Sequence, residues 1–185
     1  MSTIKGSTFT ILWISTTIFF MPITHKANAT ALVSEQPVQY GQGTLSWWGL
    51  DLYTATYFGP PIIPTAKSFS GWEPGYSARL SIEYHKSLSA DQLINATTRI
   101  WKKMGENIKN ETIYVQQLKR IWKDVKVGDV LTLNIEPQGK STFELNDIPL
   151  GEINSKDFSL AFIRIWTSPN TPNTELRKSL LGFNK

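Results

Sequence analysis

The chain has 185 residues, no cysteine, two histidines, 41% hydrophobic residues and 12% aromatic residues. This composition excludes a disordered chain, a disulfide scaffold, a collagen-like fibre, zinc–cysteine sites and cysteine nucleophiles, and the length is that of one domain. The formal net charge of +4 falls to +2 when Lys5 and Lys26 are set aside, 17 basic against 15 acidic residues; that is too little for a phosphate-tracking surface, so no nucleic-acid partner is expected.

Lys5 gives the chain a positive start. An apolar stretch from Phe9 to Phe20 follows, then Pro22, then Ala27-Asn28-Ala29 as a small-x-small cleavage site. This is the three-part secretory pattern. The apolar stretch is shorter than the roughly 20 residues of a membrane span. Residues 1–29 are therefore expected to be a signal peptide, cleaved after Ala29. The remainder, Thr30–Lys185, has no second apolar run near membrane length, so no membrane span is expected after cleavage. An exported chain without cysteine does not rely on disulfides, which points to a periplasmic location.

Residues 30–42 are polar, contain Pro37 and Gly41, and read as a loose leader, with the domain at residues 43–185. Thr44 to Phe58 is rich in Trp, Leu, Tyr and Thr, which predicts one long strand or a bent pair. Trp48 shares a strand face with Leu50 and Leu52, which predicts a buried anchor between sheet and helices. On that reading Trp48→Ala costs about 3–5 kcal/mol. Pro60, Pro61, Pro64, Gly71, Pro74 and Gly75 mark a long loop.

Tyr76 to Lys86 is the cleanest strand. Ala78, Leu80, Ile82 and Tyr84 lie on one face, and Arg79, Ser81, Glu83 and His85 on the other. Ser89 to Met104 reads as a helix capped by Ser89, with Gln92 completing a capping box and Leu93, Ala96, Ile100 and Met104 as its stripe. A second helix is predicted from Glu111 to Lys123, capped by Asn110. Strands follow over Val130–Glu136, Ser141–Leu145 and Ile148–Ile153, with Asn146-Asp147 as a tight hairpin turn. Ser155 to Trp166 is a third helix with Phe158, Ala161, Phe162 and Ile165 inward. A last helix is capped by Thr171 and ended by Gly182. Strands, then helices, then a hairpin, then helices predict an α+β fold, an antiparallel sheet with helices on one face.

Arg-Ile-Trp occurs at residues 99–101, 120–122 and 164–166, without a fixed period. That is no repeat architecture. Each copy falls near a helix end, where Ile and Trp can anchor the helix on the sheet while Arg favours the negative terminus.

No phosphate-binding loop, metalloprotease or hydrolase motif is present. His85 is the one histidine left after removal of the signal, which argues against a histidine metal site; no metal and no cofactor is expected. The best polar constellation is the face Arg79, Ser81, Glu83 and His85, an acid, a base and a cation on alternate positions that can bind a polar group or move a proton. A solvated strand face carries the same pattern. Asp51, in an otherwise apolar run, is either solvated or hydrogen-bonded in a cleft. Trp47, Trp48 and Trp72 can line an apolar pocket or form plain core. The predicted ligand-binding set is Trp48, Asp51, Tyr53 and Trp72.

Trp47-Trp48-Gly49-Leu50-Asp51-Leu52-Tyr53, Ile100-Trp101-Lys102-Lys103-Met104-Gly105, Ile121-Trp122-Lys123-Asp124, Gly128-Asp129 and Phe143 to Ile153 together resemble the bacterial chalcone isomerase-like family over residues 40–183. The resemblance implies an open-faced β-sandwich, a large antiparallel sheet covered by a layer of helices. For the cyclising enzymes it implies an arginine on an early strand beside a threonine, then a tyrosine and an asparagine near the helix that ends in Ile-Trp-Lys. Here the early arginine has no counterpart, since the first arginine is Arg79. The threonine position falls near Trp48, the tyrosine near Ser89 and the asparagine near Ala96. A late hydroxyl is kept near Ser159, which joins Arg79, Glu83 and His85 as a catalytic candidate. Cyclisation moves charge onto a carbonyl oxygen, and losing a fixed guanidinium in a dry pocket costs several kcal/mol of barrier. No chalcone isomerase activity is expected.

Three functions follow from these residues: an exported, non-catalytic protein that binds a small apolar, fatty-acid-like ligand or acts as an accessory factor; an isomerase or intramolecular lyase of unknown substrate in the same cleft; or a factor for a periplasmic protein partner, its cleft filled. A cavity of ~300 Å³ or more would mark the first, convergent acid–base groups the second, and a tryptophan-filled cleft the third.

Overall fold

In a computed structural model the described residues are 37–61, 69 and 71–183. The predicted signal segment and its cleavage site lie outside them.

Among the described residues, alternating apolar and polar residues build six strands into one antiparallel sheet: β1 Val38–Trp47, β2 Leu50–Gly59, β3 Ala78–Tyr84, β4 Val130–Ile135, β5 Lys140–Leu145 and β6 Ile148–Asn154. Their order in space is their order in the chain. The register puts Tyr53 opposite Tyr84, Ala55 opposite Ile82 and Tyr57 opposite Leu80, and it puts Leu80 opposite Leu133 and Ile82 opposite Leu131. These residues share one face, and all are buried except the half-buried Tyr53. The other face carries Thr54, Thr56, Arg79, Ser81, Glu83 and Asn134. One side of the sheet is therefore a core wall and the other is polar.

Four helices of the described residues cover the apolar side: α1 Ala90–Lys103, α2 Glu111–Ile121, α3 Lys156–Thr167 and α4 Thr174–Leu180. This is the expected α+β, open-faced arrangement. Ser89 caps α1, with the reciprocal Gln92 bond of a capping box. Ser155 caps α3 through Phe158 N–H. The Arg-Ile-Trp copies sit at the ends of α1, α2 and α3, with Trp101, Trp122 and Trp166 all buried. Trp101 is fully covered, and its indole Nε1 donates to the Ala161 carbonyl at 2.9 Å, tying α1 to α3. Arg164 meets the Glu106 carboxylate with two nitrogens, at 2.9 and 3.3 Å.

Three expectations are corrected and one pair of alternatives is decided. The stretch read as a leader up to residue 42 is strand from Val38, because β1 is needed to seat α4. A Cβ at Gly41 would lie 2.0 Å from the Ser179 carbonyl oxygen, so only glycine lets helix and strand approach this closely. Thr44 to Phe58 is not one long strand but the pair, parts of two strands joined by Trp48-Gly49, whose φ values are 51° and 76°. Trp48 stands at that tip, 87% exposed, and anchors nothing. The last helix is capped at Asn173 rather than Thr171. The Thr171 hydroxyl instead donates to the Ile165 carbonyl at 2.6 Å.

Candidate functional site

Between the apolar side of the sheet and the helices lies a cavity of about 160 Å³. Its floor is built by alternation on β2, β3 and β4, which present Tyr53, then Leu80, Ile82 and Tyr84, then Leu131 and Leu133. Its roof is the helical stripe Leu93, Ala96, Thr97 and Ile100 of α1. Phe143, Trp122, Phe162 and Trp166 close the far wall. Trp122 meets Phe143 and Phe162 edge-on, both at 5.7 Å between ring centroids. Leu45, Leu52, Leu88, Ala96 and Ile100 are half-buried; the cavity approaches solvent along these residues.

The lining is hydrocarbon apart from five side chains, Tyr53, Tyr84, Thr97, Trp122 and Trp166. Thr97 spends its hydroxyl proton on the Leu93 carbonyl at 3.0 Å. The Trp122 indole N–H is buried among rings and has no hydrogen-bond acceptor among the described residues. Tyr53 accepts a hydrogen bond from Trp166 Nε1 at 3.0 Å, which leaves its own proton free to donate. Burial pushes the Tyr53 hydroxyl up to about 12, partly offset by the Trp166 bond. Tyr84 is 5% exposed and packs edge-on against Tyr53 at 6.1 Å. Burial, with Tyr53 beside it, pushes the Tyr84 hydroxyl well up as well. Both phenols are therefore neutral at any physiological pH. Among the described residues no Lys, Arg, His, Asp or Glu lines the cavity.

The residues picked from sequence separate into five places. Tyr53 lines the cavity. Trp48 and Asp51 stand at the β1–β2 tip, where Asp51 accepts from the Ser46 hydroxyl at 2.5 Å on the exposed surface. Trp72 is core: it is 2% exposed, and its Nε1 donates to the Tyr76 carbonyl at 2.8 Å, away from the cavity. Arg79, Glu83 and His85 alternate with the cavity residues of β3 and so lie on the polar side of the sheet. His85 Nε2 is 2.8 Å from Thr54 Oγ1, and the Arg79 guanidinium stands 6.0 Å from the Phe58 ring centre. These three cannot reach the cavity through the sheet. Ser159 is fully buried and bonds Ser141 Oγ, the Gly139 carbonyl and the Ser155 carbonyl at 2.6, 2.8 and 3.1 Å. It fastens the first turn of α3 to β5 and does not line the cavity. Sequence reading missed Tyr84 as a site residue, because its strand position assigned it to the core face. Ala96, the position at which the resemblance calls for an asparagine, offers the cavity only a methyl group.

Among the described residues no helix is long and apolar enough to cross a membrane. No curated protein matches the chain in sequence. The crystal structure of an Arabidopsis thaliana fatty-acid binding protein superposes with a TM-score of 0.57 over 82% of this chain and 89% of that one, at 11% identity, which is a likeness of fold. The model of the chalcone isomerase-like family matches residues 25–182, which takes in the sheet, all four helices and the cavity between them: the chain belongs to the chalcone isomerase-like family.

Proposed function

We propose that the protein is a non-catalytic binder of a small apolar ligand, held between sheet and helices. The observation that carries this is the cavity of about 160 Å³ with an almost wholly hydrocarbon lining. An engineered cavity of roughly 150 Å³ with such a lining stays dry and takes up benzene. The volume is below the ~300 Å³ of a drug-sized site. It fits a hydrocarbon body of about six to eight carbons rather than a long acyl chain. The fold likeness to a fatty-acid binding protein supports the same reading. A non-catalytic role is supported by the position of Arg79, Glu83 and His85 across the sheet from the cavity. Phenols held neutral by burial are poor general bases. We further propose export, with cleavage after Ala29, on the pattern of Lys5, Phe9 to Phe20 and Ala27-Asn28-Ala29.

The binding test is calorimetric titration of the mature protein with medium-chain alcohols, beside the variant Ala96→Phe, which fills the cavity from α1. Saturable binding lost in the variant supports the reading; no binding to the parent protein overturns it. N-terminal sequencing of protein from the secreting cell decides export, and a chain that still begins at Met1 refutes it.

A further inference from the structure

We infer that the cavity selects a neutral ligand carrying one hydrogen-bond acceptor, such as a short-chain ketone, aldehyde or ester, over the carboxylate of the same length. This rests on the apolar-ligand reading and specifies the head group. Tyr53 and Tyr84 are direct cross-strand partners on the cavity side of β2 and β3. The Tyr53 oxygen already accepts the Trp166 N–H, so its remaining capacity is a donated proton. The Tyr84 hydroxyl makes no hydrogen bond with any described residue, although the side chain is 5% exposed. The hydroxyl oxygen keeps some accessible surface, so a ligand acceptor in the cavity can take a hydrogen bond from it that the protein does not use. Two adjacent neutral donors suit a carbonyl oxygen.

A carboxylate meets a different environment there. It would lose its water and find no cation, because none lines the cavity among the described residues. Burial of an unpaired charge in such surroundings is strongly unfavourable, and two phenol donors do not replace a guanidinium. Arg79 and His85 are on the far side of the sheet. A carboxylic acid is therefore expected to bind only in its protonated form, a minor species at neutral pH.

The test uses methyl hexyl ketone and octanoate, titrated calorimetrically into the mature protein at about pH 8, with Tyr84→Phe as the variant. Removal of a hydroxyl that has no partner should leave the melting temperature unchanged or higher, so the variant remains interpretable. The expected result is ketone affinity at least about tenfold above that of octanoate, falling about tenfold in Tyr84→Phe, with octanoate unchanged. Octanoate binding as tightly as the ketone, or ketone binding indifferent to Tyr84→Phe, overturns the head-group inference and leaves the apolar-ligand reading standing. Binding of neither probe overturns both.

Discussion

Replacing Trp48 by asparagine should stabilise the protein. Trp47 pairs with Leu50 across a two-residue loop, and both loop residues, Trp48 and Gly49, have positive φ. That is the geometry of a primed hairpin turn, whose twist matches the flanking strands and whose preferred first residue is asparagine. Left-handed backbone costs an ordinary L-residue about 1–2 kcal/mol, and asparagine relieves a large part of that. The side chain surrendered is 87% exposed. A fully buried tryptophan covers roughly 200 Å², but little of that is covered here, and at ~25 cal/mol/Å² the loss is about 0.7 kcal/mol. The net expectation is a gain of about 0.5 kcal/mol, or about 1–2 °C in Tm for a chain of this size. Urea unfolding followed by far-ultraviolet circular dichroism measures it without relying on tryptophan emission, and the m-value should not change. Trp48→Gly should move stability in the same direction by a smaller amount. A loss of 1 kcal/mol or more in Trp48→Asn would refute the reasoning, since only a packed indole could be responsible.

The opposite result is expected at Trp101, which is fully buried and holds the Ala161 carbonyl: Trp101→Ala should cost about 3–5 kcal/mol in the same assay, and a cost under about 1 kcal/mol would contradict the packing described. Gly41→Ala drives a methyl into the Ser179 carbonyl oxygen, which is backbone and cannot swing aside; a loss of about 1–3 kcal/mol is expected, with increased proteolysis of the β1–α4 edge as an independent check. Alkali should destabilise the fold in a defined window. Unfolded tyrosine titrates near pH 10, whereas Tyr53 is pushed up to about 12. Above pH 10 the unfolded chain therefore binds fewer protons than the native one, and stability falls as pH rises. Tyr53 contributes a loss of about 2 kcal/mol by about pH 12. Tyr84, also raised by burial, steepens the fall. Tyr53→Phe should flatten the profile, and urea midpoints that do not change between about pH 9 and 11 would refute this. Finally, the mature protein should not accelerate loss of chalcone absorbance above the spontaneous rate, nor should one substitution at Trp48, Ser89 or Ala96 confer it, since groups that act together in catalysis are non-additive; an enzyme-dependent rate would overturn the non-catalytic reading.

Periodicity made most of the fold legible. The alternation of Ala78, Leu80, Ile82 and Tyr84, the capping box of Ser89 and Gln92, and Asn146-Asp147 at positive φ all appear where local physics puts them. The errors fall where tertiary contact reverses a local rule. Gly41 and Gly43 punctuate a polar stretch and so read as loop. They are small because α4 lies against β1: a Cβ at Gly43 would come within 2.8 Å of the Ser179 side chain. Trp47-Trp48-Gly49-Leu50 has high strand propensity throughout, and a tryptophan at positive φ is a choice that propensity cannot anticipate.

The site was harder to read than the fold for a reason that β3 makes plain. Alternation divides a strand into an apolar and a polar face, and chemistry is then sought among the polar residues, here Arg79, Glu83 and His85. In an open-faced sandwich the enclosed volume lies on the other side, between the apolar face and the helices. Whatever polarity the site has must therefore come from residues that alternation counts as apolar. Tyrosine is the side chain that fits both descriptions, since its ring packs as core while its hydroxyl stays a donor. Tyr53 and Tyr84 meet this condition, and the register places them opposite one another. The sequence held a usable signal in that a tyrosine ends the apolar face of Tyr76–Lys86, where hydrocarbon would have completed the core more cheaply. A hydroxyl in that position is available to a partner. Tyr53 has one in Trp166, whereas Tyr84 has none among the described residues, so within the cavity wall Tyr84 is the hydroxyl left for a ligand to satisfy.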